Sequence, residues 1–269
     1  MSITIDNDVT QTLSADRPKK RWLYLEPSRT LGELAAWPIS KQLLKLAPKG
    51  DGHPVIALPG FMAGDSSTGI LRNFLSSRGY AALPWELGRN LGPHVLGEEF
   101  VHLETYLEDT VREHGQKVSL VGWSLGGVFS REIAKQRPDL IRQVITLGSP
   151  FAGDPEASNA WQLFKYIAGD IRDDKHLTEL RTRLSHAPEG IPSTAIYTKT
   201  DGIVHWSGAR EHPGPLTDNI EVLTSHCGLG FNASTLYAVA DRLAQPEGEW
   251  KPFHRNGWRS AIYPSSGHD

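Results

Sequence analysis

A serine lies between two glycines at the point where an apolar strand pattern gives way to a helical one. Residues 117–123 (KVSLVGW) have the composition of a buried strand, and residues 125–136 (LGGVFSREIAKQ) have helical periodicity. The segment 122–126 between them reads GWSLG. Such a turn leaves no room for a Cβ at its glycines and directs the serine Oγ out at the carboxyl end of the sheet. Ser124 is therefore the candidate nucleophile. The alternative is an ordinary strand-to-helix turn.

A serine hydroxyl attacks a carbonyl carbon only when a neighbouring base takes its proton, so a histidine must lie near Ser124. Of the eleven histidines, His226 follows a late strand pattern at residues 220–224 (IEVLT) and precedes the last predicted core helix. An unperturbed histidine pKa of about 6.5 predicts activity that rises with pH through that value. His226 is the candidate base. The less suitable histidines, in a Pro/Gly-rich loop or before the serine, are His205, His212, His53 and His94.

A carboxylate must hold this histidine in the tautomer that accepts a proton. Asp201 directly follows a predicted strand at residues 193–198 (STAIYT), one loop and one strand before His226. Asp218 starts the next strand and therefore lies at the opposite end of the sheet. Other acidic candidates fall within residues 151–189, where such side chains are usually solvated. The chain order serine, acid, histidine, with each at a strand's carboxyl end, makes Asp201 the candidate acid.

Two backbone N–H groups are also needed where negative charge develops on the attacked carbonyl oxygen. One comes from the residue after the nucleophile, which is Leu125. The other is expected from the loop after the early strand, residues 58–62 (LPGFM). Gly60 permits close backbone approach there, so Phe61 is the second candidate donor. The alternative is a plain strand-ending turn.

These residues are positioned by strand and helix patterns that alternate along the chain, as in a mostly parallel sheet flanked by helices. The length of 269 residues is consistent with one α/β domain, residues 1–269. Strands are predicted at residues 53–59, 81–86, 117–123, 142–147, 193–198 and 220–224, and helices at 70–77, 96–114, 125–136 and 229–244.

Three segments depart from this alternation. Residues 151–189 have no strand pattern, but Ala160, Phe164 and Ile167 recur on one helical face with Trp161 beside them. We interpret this segment as a helical cap over Ser124, because long insertions in compact domains are usually functional. The alternative is a surface excursion. Residues 1–25, with the basic run RPKKR, are interpreted as a lead-in, and the aromatic-rich residues 246–269 as a packed, irregular arm.

Composition narrows the protein class and its partners. The net charge is -3 with interspersed signs, which gives no indication of nucleic-acid binding. A single cysteine, Cys227, excludes an internal disulfide framework. The first residues lack a signal-peptide pattern and no apolar run approaches a membrane span, so we expect a cytoplasmic location and no stable membrane insertion. No residues recur at metal-ligand spacing, and no metal or cofactor is expected. The oligomeric state is left open.

The motifs together resemble the bacterial lipase and esterase branch of the α/β-hydrolase superfamily. The resemblance rests on the Pro-Gly-Phe loop, GWSLGG, TDGIV and SHCGLG, and spans most of residues 50–245. It implies an α/β-hydrolase fold, a triad of Ser124, Asp201 and His226, and oxyanion donors at Phe61 and Leu125. The His-Gly-Gly-Gly loop of hormone-sensitive-lipase-like esterases is absent.

The expected activity is hydrolysis of short- to medium-chain carboxylic esters through an acyl-serine intermediate. The same triad also serves thioesterases, acyltransferases and lipases, and these alternatives stay open, as does a non-catalytic binding module. Apolar residues beside the predicted catalytic loops and in the insertion are candidates for an acyl pocket, although those beside the loops could equally be core. These residues are Met62, Trp123, Trp161, Phe164, Ile203, Val204 and Leu229.

Overall fold

The computed structural model describes residues 18–92, 95, 100–152, 179 and 182–265. Its centre is one six-stranded parallel sheet with the strand order β2-β1-β3-β4-β5-β6. The predicted α/β fold is therefore confirmed. The strands are Pro54–Leu58 (β1), Ala81–Leu83 (β2), Val118–Trp123 (β3), Ile141–Leu147 (β4), Ser193–Tyr197 (β5) and Thr217–Glu221 (β6).

Helices cover both faces of the sheet, and the alternating side chains of each strand form two cores. In β1, Ile56 and Leu58 belong to the core that contains residues of α3 and α4, whereas Val55 and Ala57 belong to the core that contains residues of α2 and α5. Each fully buried aliphatic side chain contributes about 1.5–3 kcal/mol to folding. The helices are Lys20–Leu43 (α1), Gly69–Ser77 (α2), Val101–His114 (α3), Leu125–Gln136 (α4), Ala233–Leu243 (α5) and Arg259–Ile262 (α6).

Several element boundaries differ from the predicted ones. The strand predicted at residues 220–224 lies at Thr217–Glu221, three residues earlier. The apolar pattern missed its start because its first three residues are polar. The helix predicted at residues 229–244 is divided into a 3-10 turn, Cys227–Gly230, and α5. Asn232 caps α5 by accepting a hydrogen bond from the Ser234 N–H, and this cap sets where the helix begins.

Helix α1 begins inside the segment interpreted as a lead-in, where sequence periodicity predicts no helix. Its 24 residues contain Pro27 and Pro38, which are unfavourable inside helices. Its side chains also reverse the usual pattern, because Tyr24 is 78% exposed whereas Glu26 is 5% exposed. A helix that buries charged groups and exposes apolar ones does not give the amphipathic pattern of a surface helix.

The two remaining irregular segments are described in part. At the start of residues 151–189, Phe151 is buried with the Arg131 guanidinium 3.7 Å from its ring centroid. Most of that segment, including Trp161 and Phe164, lies outside the described residues. In the C-terminal segment, the rings of Phe253 and Tyr263 are buried in an edge-to-face arrangement with centroids 4.8 Å apart.

Candidate active site

Ser124 occupies the turn between β3 and α4. Its backbone has φ 53° and ψ -119°, a region that residues other than glycine rarely adopt. The Ser124 N–H donates to the carbonyl of Leu147 at the end of β4, at 2.8 Å. Such strain persists only where the surrounding structure enforces it, and it is common at functional sites.

The two flanking glycines allow this turn to pack against its neighbours. A Cβ on Gly126 would lie 2.6 Å from the Pro59 carbonyl oxygen, and one on Gly122 would lie 2.5 Å from the Gly126 carbonyl carbon. Both contacts are with backbone atoms, which cannot move aside as a flexible side chain can. The predicted reason for the glycines therefore holds in the structure.

Asp201 and His226 form a buried hydrogen-bonded pair, with Oδ2 of Asp201 2.7 Å from Nδ1 of His226. The other carboxylate oxygen of Asp201 accepts the N–H groups of Ile203 and Val204, each at 2.8 Å. These bonds fix the carboxylate after β5. A carboxylate at Nδ1 favours the tautomer whose Nε2 can accept a proton.

The structure brings Ser124, Asp201 and His226 to the same edge of the sheet. Ser124 is bonded to Leu147, and the next residue, Gly148, lies against the acid–histidine pair. A Cβ built on Gly148 would be 3.2 Å from Nδ1 of His226 and 3.3 Å from Oδ2 of Asp201. The backbone at the end of β4 therefore lies between the Ser124 turn and the Asp201–His226 pair.

The charges around His226 act in opposite directions on its ring. Burial lowers the pKa of His226, but the charge and hydrogen bond of Asp201, with the charge of Glu26, outweigh burial and raise the pKa above its ordinary value. The imidazolium is therefore favoured relative to a histidine in water. The sequence-based expectation of an ordinary pKa needs this upward correction.

The predicted oxyanion loop packs against the turn that carries Ser124. A Cβ on Gly60 would touch the Cβ of Ser124 at 3.4 Å, and Phe61 follows at the next position. Leu125 is the first residue of α4, where N–H groups have no acceptor within the helix. The two candidate donors, Phe61 and Leu125, therefore belong to segments that meet at Ser124.

Asn90, which sequence reasoning missed, holds this loop in place. Its side-chain amide donates to the Pro59 carbonyl at 2.8 Å, and its backbone carbonyl accepts the Met62 N–H at 2.8 Å. Its own N–H donates to the Ala63 carbonyl at 2.8 Å. Asn90 is fully buried. An asparagine in a loop carries no sequence signal for contacts with a segment some thirty residues away.

A model of the α/β-hydrolase family matches residues 34–269 of this chain. The chain belongs to the α/β-hydrolase family. Its fold is similar to that of three solved lipases, with TM-scores and identities as follows: Aspergillus fumigatus lipase B, 0.54 and 17%; Paleococcus ferrophilus monoacylglycerol lipase, 0.54 and 16%; and Bacillus licheniformis lipase BlEst2, 0.53 and 18%.

The matched region is 74% of this α/β-hydrolase in all three comparisons. It spans about half, 54%, of the Aspergillus enzyme, and 96% and 95% of the Paleococcus and Bacillus enzymes. At these identities the likeness is one of fold.

Helix α1 of this α/β-hydrolase contacts the loops of the acid and the histidine. Glu26 accepts the N–H groups of Gly202 and His226, and Arg29 donates to the Thr200 carbonyl at 2.7 Å. Glu33 accepts the Ser225 N–H at 2.8 Å. The spacing of Glu26, Arg29 and Glu33 places them on one helix face. That spacing is the signal that could have revealed them, had a helix been predicted there.

The candidate pocket residues lie in different surroundings. Met62, in the predicted oxyanion loop, is 61% exposed, and the Trp123 indole donates to the His226 carbonyl at 3.2 Å. Ile203 is partly buried. Val204 is buried in one core and Leu229 in the other, which fits the alternative that these residues belong to the core. Trp161 and Phe164 lie outside the described residues.

A second serine–histidine–aspartate arrangement lies near the amino ends of the strands. His53 Nε2 is 2.8 Å from Ser119 Oγ, and its Nδ1 contacts Asp51. His53 and Ser119 are both fully buried, and burial lowers the pKa of His53. Asp51 also pairs with Arg142 at 2.8 Å. The cluster links the residue before β1 to β3. Because Ser119 lies inside a regular strand and has no exposed surface, it is not an accessible nucleophile.

Metal-binding clusters and membrane-spanning helices are both absent from the described part of the chain. No group of three or more histidine, cysteine, aspartate or glutamate side chains there is arranged to hold a metal ion. No helix within the same residues is long and apolar enough to cross a membrane.

Proposed function

We propose that this α/β-hydrolase is a serine carboxylesterase that cleaves short- to medium-chain acyl esters through an acyl-serine intermediate. The observation that carries the proposal is the convergence of Ser124, in its strained turn, with the buried Asp201–His226 pair. A nucleophile held in this way needs a base and a carboxylate that orients the base, and His226 and Asp201 have the chemistry for these two roles.

In the acylation step, the Ser124 Oγ bonds to the ester carbonyl carbon while Nε2 of His226 accepts the hydroxyl proton. The carbonyl oxygen becomes an oxyanion that accepts hydrogen bonds from the N–H groups of Phe61 and Leu125. When the carbon–oxygen bond of the leaving group breaks, His226 returns the proton to the departing alcohol. Asp201 stabilises the transient imidazolium and does not itself take the proton.

Deacylation repeats these steps with water as the nucleophile. His226 takes a proton from water as the hydroxyl oxygen bonds to the acyl carbon, and it then protonates the Ser124 Oγ as the acid product leaves. The raised pKa of His226 favours the protonated ring in each intermediate. It also requires a higher pH for the neutral ring that begins each step.

Two observations support esters as the proposed substrate class. Phe61 and Met62 are exposed apolar side chains of the predicted oxyanion loop, suited to contact an acyl chain. The three solved structures with this fold are named as lipases, which makes esters the first substrates to test. Residues 151–189, with Trp161 and Phe164, remain the proposed cap.

The test is hydrolysis of p-nitrophenyl acetate, butyrate, octanoate and palmitate by the wild-type chain and by Ser124→Ala, with a thioester and an anilide beside them. We expect the highest kcat/KM on acetate to octanoate and a loss of several orders of magnitude in Ser124→Ala. A preference for the thioester would assign a thioesterase. Turnover in Ser124→Ala equal to that of the wild type would contradict the proposal.

A further inference from the structure

A carboxylate from α1 lies between the two loops that hold the acid and the histidine. Oε1 of Glu26 accepts the Gly202 N–H at 2.9 Å, and the His226 N–H contacts Oε1 at 3.1 Å and Oε2 at 3.0 Å. Gly202 is the residue after Asp201. One side chain therefore binds the backbone of both loops at the catalytic residues themselves or next to them.

The buried Glu26 carboxylate has hydrogen-bond donors and a cation beside it. A buried carboxylate is stabilised by hydrogen bonds to N–H groups and by a nearby cation. Glu26 has both, because Nη1 of Arg29 lies 3.9 Å from Oε1. Arg29 in turn donates to the carbonyl and hydroxyl of Thr200, each at 2.7 Å, and to the Thr224 carbonyl. The ion pair thus extends the contact to both loops.

The backbone of α1 lies directly against the acid loop. A Cβ on Gly202 would be 2.5 Å from the Leu23 nitrogen and 2.6 Å from the Trp22 carbonyl carbon. Because these are backbone atoms of the helix, any larger residue at position 202 would force the helix and the loop apart. Glycine here permits the approach that brings the Glu26 carboxylate to both N–H groups.

We propose that Glu26 is a positioning residue of the active site, which sets the spacing of the Asp201 and His226 loops and supports the imidazolium by its charge. The inference rests on the proposed function for its kinetic part. In this role Glu26 acts through His226 and Asp201 and does not need to contact the substrate. Its replacement should therefore change kcat and the pH dependence, and leave KM near the wild-type value.

Three substitutions separate spacing from charge. Glu26→Gln keeps the size and one acceptor oxygen but removes the charge, so the acidic limb of kcat/KM should move to lower pH. Glu26→Asp keeps the charge but is one methylene shorter, so the limb should stay nearer to that of the wild type while kcat falls. Glu26→Ala removes both and should lower kcat by up to about 100-fold, as misplacement of a catalytic group by about 1 Å can.

Glu33→Gln is the matched control. Glu33 lies on the same helix face and accepts the Thr224 hydroxyl at 2.6 Å and the Ser225 N–H at 2.8 Å, but it does not bind the acid loop. It should lower thermal stability without moving the pH limb. If α1 only stabilises the fold, Glu26→Gln and Glu33→Gln will behave alike, and that result would overturn the proposal.

A second readout does not depend on ester turnover. The His226 ring can be titrated by NMR in histidine-labelled protein, with its signal assigned by loss in His226→Gln. We expect a lower ring pKa in Glu26→Gln than in the wild type and no such change in Glu33→Gln. If the ring responds in this way but no ester is cleaved, the proposed function fails and the role of Glu26 stands. If esters are cleaved and the Glu26→Gln ring and kcat are unchanged, the role of Glu26 fails.

Discussion

Replacing Asn90 with alanine tests whether the oxyanion loop is held by this side chain. The substitution removes the 2.8 Å bond from the amide to the Pro59 carbonyl and the 3.2 Å bond from the Gly92 N–H to Oδ1. The two backbone bonds of Asn90, to Met62 and Ala63, do not involve its side chain. The perturbation is therefore confined to one anchor of the loop that carries Phe61.

The structure sets the size of the effect. The Pro59 carbonyl would lose a buried donor, at a cost of about 1–3 kcal/mol. Each kcal/mol lowers Tm by about 2–4 °C in a chain of this size. An oxyanion donor is worth about 100- to 1,000-fold in kcat, which bounds the loss if the Phe61 N–H is displaced. We expect kcat to fall at least tenfold, with a small change in KM.

The assay pairs kcat on p-nitrophenyl butyrate with Tm for Asn90→Ala, Asn90→Asp and Thr110→Val. Asn90→Asp keeps the acceptor for Gly92 but lacks the donor to Pro59, so it should behave like the alanine variant. Thr110→Val removes a partly buried 2.7 Å hydrogen bond to the Tyr106 carbonyl within α3 and should lower Tm alone. If all three variants lose Tm and none loses kcat, Asn90 does not position the loop.

Three further predictions follow from the site. Asp201→Asn should lower kcat by about four orders of magnitude, as the same change does in serine-protease triads. Asp218→Asn removes a carboxylate bonded to a backbone N–H of the C-terminal segment and should reduce stability. A larger kinetic loss in Asp218→Asn than in Asp201→Asn would reassign the acid. Because the pKa of His226 is raised and the neutral ring is the base, kcat/KM should rise with pH through an apparent pKa above about 6.5. A kcat/KM profile that is flat from pH 5 to 8 argues against histidine as the base. If residues 151–189 form the proposed cap, Trp161→Ala and Phe164→Ala should lower kcat/KM for octanoate esters more than for acetate esters, since each buried methylene is worth about 0.8 kcal/mol. An unchanged octanoate-to-acetate ratio in both variants contradicts the cap.

The positions of Ser124, Asp201 and His226 at one sheet edge were predictable because each follows a strand pattern. The carboxyl ends of parallel strands meet at one edge, so strand prediction alone brings the loops together. Small boundary errors do not change this result. β6 begins three residues before its predicted position, and the loop that carries His226 still leaves the same edge.

The supports of the site were not predictable in the same way. Glu26 is buried on a helix whose exposed residues include Leu23 and Tyr24, so its apolar pattern gives no guide to its inner face. Asn90 acts from a loop, through hydrogen bonds to a segment distant in sequence. The contacts of Asn90 leave no periodic signal, and the spacing of Glu26, Arg29 and Glu33 becomes a signal only once a helix is placed there.

The central claim is that Ser124 is a nucleophile activated by the Asp201–His226 pair. Its most direct test is intact-mass and peptide analysis after reaction with a fluorophosphonate, which bonds covalently to activated serines. We expect one adduct per chain, located on Ser124, absent in Ser124→Ala and formed far more slowly in His226→Ala. An adduct on another serine, or labelling of Ser124 at the same rate without His226, would contradict the claim.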